Sequence, residues 1–114
     1  MSSRIHLDYL NDIWDSIHKI EAFTKKIEEK TFYHDSKTNY AVVRALEIIG
    51  EATKQIPHSY RQQHPDIPWK LMAGMRDKLA HDYFGVDLEI LWKTVKEDIP
   101  KLKHLIRPLM KSKK

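Results

Sequence analysis

Hydrophobic residues recur at steps of three and four along most of this chain, and that spacing marks one face of an α-helix. In the first stretch these positions are Leu10, Ile13, Trp14, Ile17, Ile20, Phe23 and Ile27. Ser2 or Ser3 is the candidate N-cap, and the charged run 25–30 ends the pattern. This part of the chain is therefore predicted to form one long helix.

A second stretch has a broader apolar face and begins after a candidate cap, Asp35 or Ser36. Its stripe is Tyr40, Val43, Leu46, Ile49 and Ile56, widened by Val42, Ala45 and Ile48. Such a wide arc indicates a helix that is packed on two sides. Gly50 within it costs about 1 kcal/mol relative to Ala, and close approach of another helix, in the same chain or across a dimer, would account for it.

Two further helices follow a polar connector, 57–66, which has room for one helical turn. The third helix has Pro68 in its first turn and carries Trp69, Met72, Met75 and Leu79. Residues 84–86 interrupt it, and Asp87 can cap a fourth helix that Pro100 should kink or restart. The apolar positions of this last helix are Leu88, Leu91, Trp92, Val95, Ile99, Leu102, Leu105, Ile106 and Leu109.

Four amphipathic helices with short connections predict an all-α, antiparallel four-helix bundle. We expect a single domain, 1–110, followed by a basic tail, 111–114. The wide apolar arc of the second helix further predicts a homodimer.

Composition narrows the function classes. The chain has no cysteine, which excludes disulfides, thiolate nucleophiles and thiolate metal sites. Its apolar runs are too short to cross a bilayer, and no signal-peptide core follows the N-terminus, so we expect a cytoplasmic protein without a membrane partner. The net charge of +4 permits an anionic partner without requiring one.

The candidate chemistry lies in the segment 76–83, which contains Arg76, His81 and Tyr83. Arg76 and Tyr83 are two helical turns apart and share a face, whereas Arg76 and His81 are about 140° apart on an ideal helix. Arg76 and His81 converge more easily if the helix ends or bends near Gly85, or if a second protomer brings its own copies.

These residue types suit phosphodiester cleavage without a metal. A histidine can take the proton of a ribose 2′-hydroxyl or protonate the leaving 5′ oxygen, and an arginine can hold the phosphoryl oxygens. One histidine cannot easily do both, but two copies across a dimer axis could. The alternative is structural: Arg76 and His81 could bond helix-terminal carbonyls, or pair with Asp77 and Asp82.

The stretch IPWKLMAGMRDKLAHDYFGVD, 67–87, closely resembles the HepT-like branch of the HEPN superfamily. The segments AVVRALEIIGEA, 41–52, LWK, 91–93, and DIP, 98–100, resemble other helices of that family. The resemblance implies a dimeric helical bundle and a metal-independent endoribonuclease site that needs no cofactor. Arg76 and His81 would be its catalytic pair, with Asp77 as the polar residue that supports Arg76.

HepT-like proteins resemble toxins of type VII-like toxin–antitoxin modules. The resemblance implies an RNA substrate, cleavage to 2′,3′-cyclic phosphate and 5′-hydroxyl ends, and a minimal nucleotidyltransferase (MntA-like) antitoxin as partner. That antitoxin would use ATP to place AMP on Tyr83 and so inactivate the toxin.

Three other functions remain open at the level of the sequence. The chain could be a non-catalytic helical dimer that binds and regulates a nucleotidyltransferase, with the motif as docking surface. It could bind nucleotides or DNA, although no basic recognition helix is evident. His58, His64 and Asp66 share a connector and could hold a metal, but no further ligand has suitable spacing.

Overall fold

The computed structural model describes the backbone of residues 2–75, 77 and 87–111, and the side chains of 6–75, 77 and 87–110. Within these ranges every regular element is helical, which confirms the all-α class. The helices are α1 (Ser2–Thr24), α2 (Glu29–His34), α3 (Ser36–Gln55), α4 (His58–Gln63), α5 (Trp69–Ala73), α6 (Leu88–Lys93), a π-helical turn (Thr94–Asp98) and α7 (Ile99–Lys111).

The core is formed where α1 packs along α3, with α5 and α7 completing the layers around them. Leu10, Ile13, Ile17 and Ile20 of α1 are fully buried, as the hydrophobic spacing predicts. Phe23 is 39% exposed, however, because it lies on the outer side of the last turn of α1, whereas Ile20 and Thr24 of the same turn are buried. Ser2 and Ser3 both lie within α1, so neither is the residue that precedes it.

Asp35 caps α3, as predicted, but the buried face of this helix is rotated from the predicted stripe. The Asp35 carboxylate accepts hydrogen bonds from the backbone N–H of Thr38, at 3.1 Å, and from its hydroxyl, at 2.7 Å. Tyr40 is 78% exposed, whereas Val42, Leu46 and Ile49 are fully buried. Tyr40 was therefore wrongly placed in the core, because its aromatic ring counts as apolar in the pattern while its position on α3 faces outward.

The region predicted as the fourth helix is a helix with an irregular turn inside it. Asp87 caps α6, as predicted, and the π-helical turn Thr94–Asp98 then leads into α7. Pro100 has no N–H to donate to a carbonyl four residues earlier, which favours a change of hydrogen-bond pattern just before it. The predicted interruption at Pro100 thus takes the form of a π turn.

α7 runs antiparallel to α1, which two contacts establish. Lys103 Nζ lies 2.9 Å from Glu21 Oε1, and the Arg107 guanidinium lies over the Trp14 ring, 6.0 Å from its centroid. Later residues of α7 thus meet earlier residues of α1. Among the described residues, no helix is both long and apolar enough to span a membrane.

Candidate functional site

Along the chain, the predicted site segment follows α5 and precedes α6. Arg76, His81 and Tyr83 fall outside the described residues, so the convergence of these three side chains stays a prediction. Asp77 is described, and so are the segments that enter and leave the motif. The structure therefore defines how the motif is anchored at both ends.

On the entry side, the chain is fixed by Trp69 and two methionines. The Trp69 indole N–H donates to the carbonyl oxygens of His64, at 2.9 Å, and Arg61, at 3.2 Å. Trp69 is 8% exposed, while Met72 and Met75 are 0% and 3% exposed. Met75 precedes Arg76 directly, so the first motif residue follows a side chain anchored in the core.

Arg61 strengthens this entry by joining α4 to the end of α3. Its guanidinium donates to the carbonyl oxygens of Ile56, at 3.0 Å, and Lys54, at 3.3 Å. These carbonyls belong to the C-terminal end of α3, where helical acceptors lack intrahelical partners. The connector that was predicted as polar is thus tied to the helices on both sides of it.

On the exit side, Asp87 fixes the chain as it leaves the motif. Its carboxylate accepts hydrogen bonds from the backbone N–H groups of Glu89, at 3.0 Å, and Ile90, at 3.1 Å. Leu91, one helical turn into α6, is fully buried. Both ends of the motif segment are therefore held to the same hydrophobic core.

Asp77, predicted to support Arg76, is exposed and lies near the end of α3. Its Oδ2 atom is 4.0 Å from Nζ of Lys54, and both side chains are largely solvated. An exposed pair of this kind contributes at most about 1 kcal/mol to stability. No pattern in the sequence indicates Lys54, because the contact depends on how α3 packs against α5 and the residues that follow it.

A surface groove, which we call the α3 groove, borders the exit of the motif. It has a volume of about 510 Å³ and is lined by Asn39, Tyr40, Val43, Arg44, Leu88 and Leu91 among others. Leu88 directly follows Asp87, so the groove adjoins the end of the motif segment. Among the described residues, the buried Asn39 Oδ1 has no hydrogen-bond donor.

Three side chains with shifted pKa values, Tyr33, Asp35 and Tyr60, lie outside the motif segment. The hydrogen bond that Tyr33 donates to the Glu29 carboxylate raises the pKa of Tyr33 to about 12. The Thr38 hydroxyl and N–H hold the pKa of Asp35 below its usual range, and burial raises the pKa of Tyr60. None of these groups was predicted to take part in catalysis.

The suggested metal site in the α4 region does not form among the described residues. No group of three or more histidine or acidic side chains there could hold a metal ion. The ring of His64 instead packs against Tyr60, with 4.6 Å between the ring centroids. The ring of His6 also stacks on Tyr60, with 4.1 Å between the ring centroids.

Comparison with known proteins identifies the family. The family described as "Ribonuclease HepT-like" matches residues 13–109, which include the whole motif. The chain belongs to this family. The HepT-like resemblance read from the motif is therefore confirmed.

Relatives of similar length support the same assignment. A protein of Thermococcus cleftensis, provisionally named ribonuclease HepT, is 58% identical over 108 residues, covering 95% of this chain and 98% of its own. A Methanocaldococcus jannaschii protein with a provisional RNase name is 48% identical over 103 residues, which are 90% of this chain and 94% of that protein. A protein of Caldanaerobacter subterraneus, also provisionally named an RNase, is 41% identical over 106 residues, which are 93% of this chain and 95% of that protein. No solved structure matches the chain.

Proposed function

We propose that this HepT-like protein is an endoribonuclease that acts as the toxin of a toxin–antitoxin module. The observation that carries the proposal is the family match over residues 13–109, which contains Arg76, His81 and Tyr83 without a departure from the motif. The RNase names of the relatives support a ribonuclease activity and an RNA substrate.

The proposed reaction is an internal transesterification that needs no metal. The 2′ oxygen of a ribose attacks the adjacent phosphorus, and the bond from phosphorus to the 5′ oxygen breaks. One His81 takes the proton of the 2′-hydroxyl, and the leaving 5′ oxygen receives a proton from a second His81. Arg76 binds the phosphoryl oxygens and stabilises the charge that develops there. The products are a 2′,3′-cyclic phosphate and a 5′-hydroxyl.

The division of roles between two histidines requires a homodimer, and the α3 groove is our candidate interface. Tyr40 projects from it with 78% of its surface exposed, beside the half-buried Val43 and Leu88. Arg44 lies 3.4 Å from Glu47 and 3.9 Å from Glu51 on the same helix. Across a two-fold axis such a face can pair each Arg44 with the acidic residues of the other copy.

Tyr83 is proposed as the residue through which the antitoxin silences the enzyme. In this step the Tyr83 oxygen attacks the α-phosphorus of ATP, pyrophosphate leaves, and the phenolic proton passes to solvent. The product carries a bulky, negatively charged group close to Arg76 in sequence. That group would compete with RNA for the phosphate-binding side chain.

The decisive experiment compares growth, cleavage and modification in one set of strains. Expression of the wild-type protein alone should arrest growth, and Arg76→Ala or His81→Ala should restore it. In vitro, each substitution should lower kcat/KM by about a hundredfold or more, and a chelator should leave the wild-type rate unchanged. His58→Ala, on the exposed side of α4, is the matched control and should behave as wild type.

Co-expression with the nucleotidyltransferase should relieve the growth arrest and add one AMP to Tyr83, as measured by mass spectrometry of the peptide. Cleavage that persists in both the Arg76 and His81 variants would refute the site. A wild-type protein that forms a tight complex with the nucleotidyltransferase but never cuts RNA would instead establish the non-catalytic alternative.

A further inference from the structure

A second groove lies between the end of α1 and the start of α7, and most of its charged side chains are basic. We call it the α1/α7 groove. It has a volume of about 520 Å³, and the charged or titratable side chains that line it are His18, Glu21, Lys25, Lys96 and Lys103. The groove therefore presents three lysines against one carboxylate.

The one carboxylate is already engaged. Glu21 Oε1 lies 2.9 Å from Lys103 Nζ and 4.0 Å from His18 Nδ1. Lys25 and Lys96 are exposed, and neither has a salt-bridge partner among the described residues. Neither of these two lysine charges is therefore neutralised by a described carboxylate.

The surrounding chain strengthens this positive field. From Ile99 to Met110, the helix α7 contains three lysines or arginines and no acidic residue. Arg107 lies one helical turn beyond Lys103 on the same face of α7, and its guanidinium packs over Trp14. Lys96 is held in a similar way, with its Nζ 4.7 Å from the centroid of the Trp92 ring. Packing on indole rings restricts both cationic side chains, so less entropy is lost when they bind an anion.

The neighbouring groove between α2 and α6 has the opposite balance. It is lined by four acidic residues, Glu29, Asp87, Glu89 and Glu97, against two basic ones, Lys93 and Lys96. Lys96 lies at the boundary and lines both grooves. A polyanion on this side of the molecule would be attracted to one groove and repelled by the other.

We propose that the α1/α7 groove binds the phosphate backbone of single-stranded RNA outside the cleavage motif. This inference rests on the proposed ribonuclease function, which makes RNA the polyanion that the protein meets. Three of the side chains that line the groove are lysines, so the proposed contact is to phosphates and is independent of sequence. The groove would raise the affinity for substrate without taking part in bond cleavage.

The test measures binding separately from cleavage. The probe is a fluorescently labelled 2′-O-methyl oligoribonucleotide, which lacks the attacking hydroxyl, and fluorescence anisotropy gives its Kd. The Lys25→Gln/Lys103→Gln protein should bind about tenfold more weakly, and the slope of log affinity against log salt should become shallower by about 1.4, since each single-strand phosphate contact contributes about 0.7.

Two control proteins make the result specific. Lys30→Gln/Lys93→Gln removes two exposed lysines outside the groove and should retain wild-type affinity. Lys25→Arg/Lys103→Arg keeps both charges and should also retain it. If the glutamine pair in the groove fails to fold by circular dichroism, Lys25→Gln/Lys96→Gln tests the same groove.

The experiments distinguish a failure of RNA binding at the α1/α7 groove from a failure of the proposed ribonuclease activity. With cleavable RNA, the groove variant should raise KM while kcat stays within about twofold of wild type. A wild-type protein that never cleaves would refute the ribonuclease function, yet the Kd comparison would still decide the groove. Equal Kd values for the groove and control pairs overturn the proposal.

Discussion

Asp35 and Asp87 show how single side chains set the position of the helices that flank the motif. Each carboxylate accepts hydrogen bonds at the first turn of a helix, Asp35 from Thr38 and Asp87 from Glu89 and Ile90. Free N–H groups at a helix start favour a negatively charged acceptor there. Asp87 was predicted as a cap and Asp35 was one of two candidates with Ser36, because the chemistry of a cap is local and visible in the sequence.

The lowered pKa of Asp35 predicts a defined acid dependence of stability. Because the folded protein holds this pKa below the unfolded value of 3.8, ionised Asp35 stabilises the fold above that value. The stabilisation is lost as the pH falls through the folded pKa. Asp35→Asn keeps an acceptor but does not titrate, so its melting temperature should approach that of wild type as the pH falls from about 7 to about 2.

Asp35→Ala is the companion variant, since it removes the cap as well as the charge. It should melt below Asp35→Asn at every pH, as followed by circular dichroism. A difference between the wild-type and asparagine proteins that does not change with pH would show that the charge of Asp35 contributes nothing.

At the scale of the element, α3 shows where hydrophobic spacing is informative and where it fails. The spacing located the helix and its cap, but it included Tyr40 in the buried stripe. The structure instead buries Asn39 and Val42 on either side of it, and Tyr40 faces outward. The spacing gives the apolar arc of a helix, while the part of that arc that becomes buried depends on which helices pack against it.

A matched pair of leucine substitutions tests this assignment of the core. Leu46 of α3 is fully buried and Leu71 of α5 is 42% exposed. Leu46→Ala should lower the free energy of unfolding by about 2–5 kcal/mol, because it removes buried methyl groups and leaves a cavity. Leu71→Ala should lower it by less than about 1 kcal/mol.

Chemical denaturation of both proteins, with the protein concentration held fixed, gives the comparison. A loss at Leu46 no larger than the loss at Leu71 would contradict the packing of α3 against α1.

At the scale of the molecule, the described residues form grooves of different character around one core. The α3 groove is largely apolar and adjoins the exit of the motif, while the α1/α7 groove is basic and its neighbour between α2 and α6 is acidic. Under the functions proposed above, dimerisation, RNA binding and RNA cleavage would take place on distinct surfaces. The assignment of the α3 groove to the dimer can be tested by exchanging charges.

We expect Arg44→Glu to weaken the dimer, because it would place like charges opposite Glu47 and Glu51 of the second copy. Glu47→Arg should weaken it as well, and the double variant should restore it by exchanging the two signs. Light scattering during size-exclusion chromatography measures the oligomeric state. Lys19→Glu, on the exposed side of α1, is the control and should leave the dimer intact.

If the single reversals leave the dimer unchanged, the interface lies elsewhere. A wild-type protein that is monomeric at all concentrations would instead contradict the division of catalytic roles between two protomers.

The sequence by itself determined the helical class, the cap Asp87, the two candidates for the cap of α3, the position of the motif and the family, because these depend on local spacing and residue chemistry. It missed α2 and anticipated only one turn at α4. These helices have six residues each, too few for a hydrophobic period to be visible.

Only the tertiary structure decided the outward direction of Tyr40, the contact between Asp77 and Lys54, and the basic groove. Lys103 and Glu21 are 82 residues apart, and they meet because α7 lies antiparallel on α1. Periodicity fixes the rotation of side chains about one helix axis, but it does not state which helices become neighbours. That choice is made by the packing of all apolar faces together.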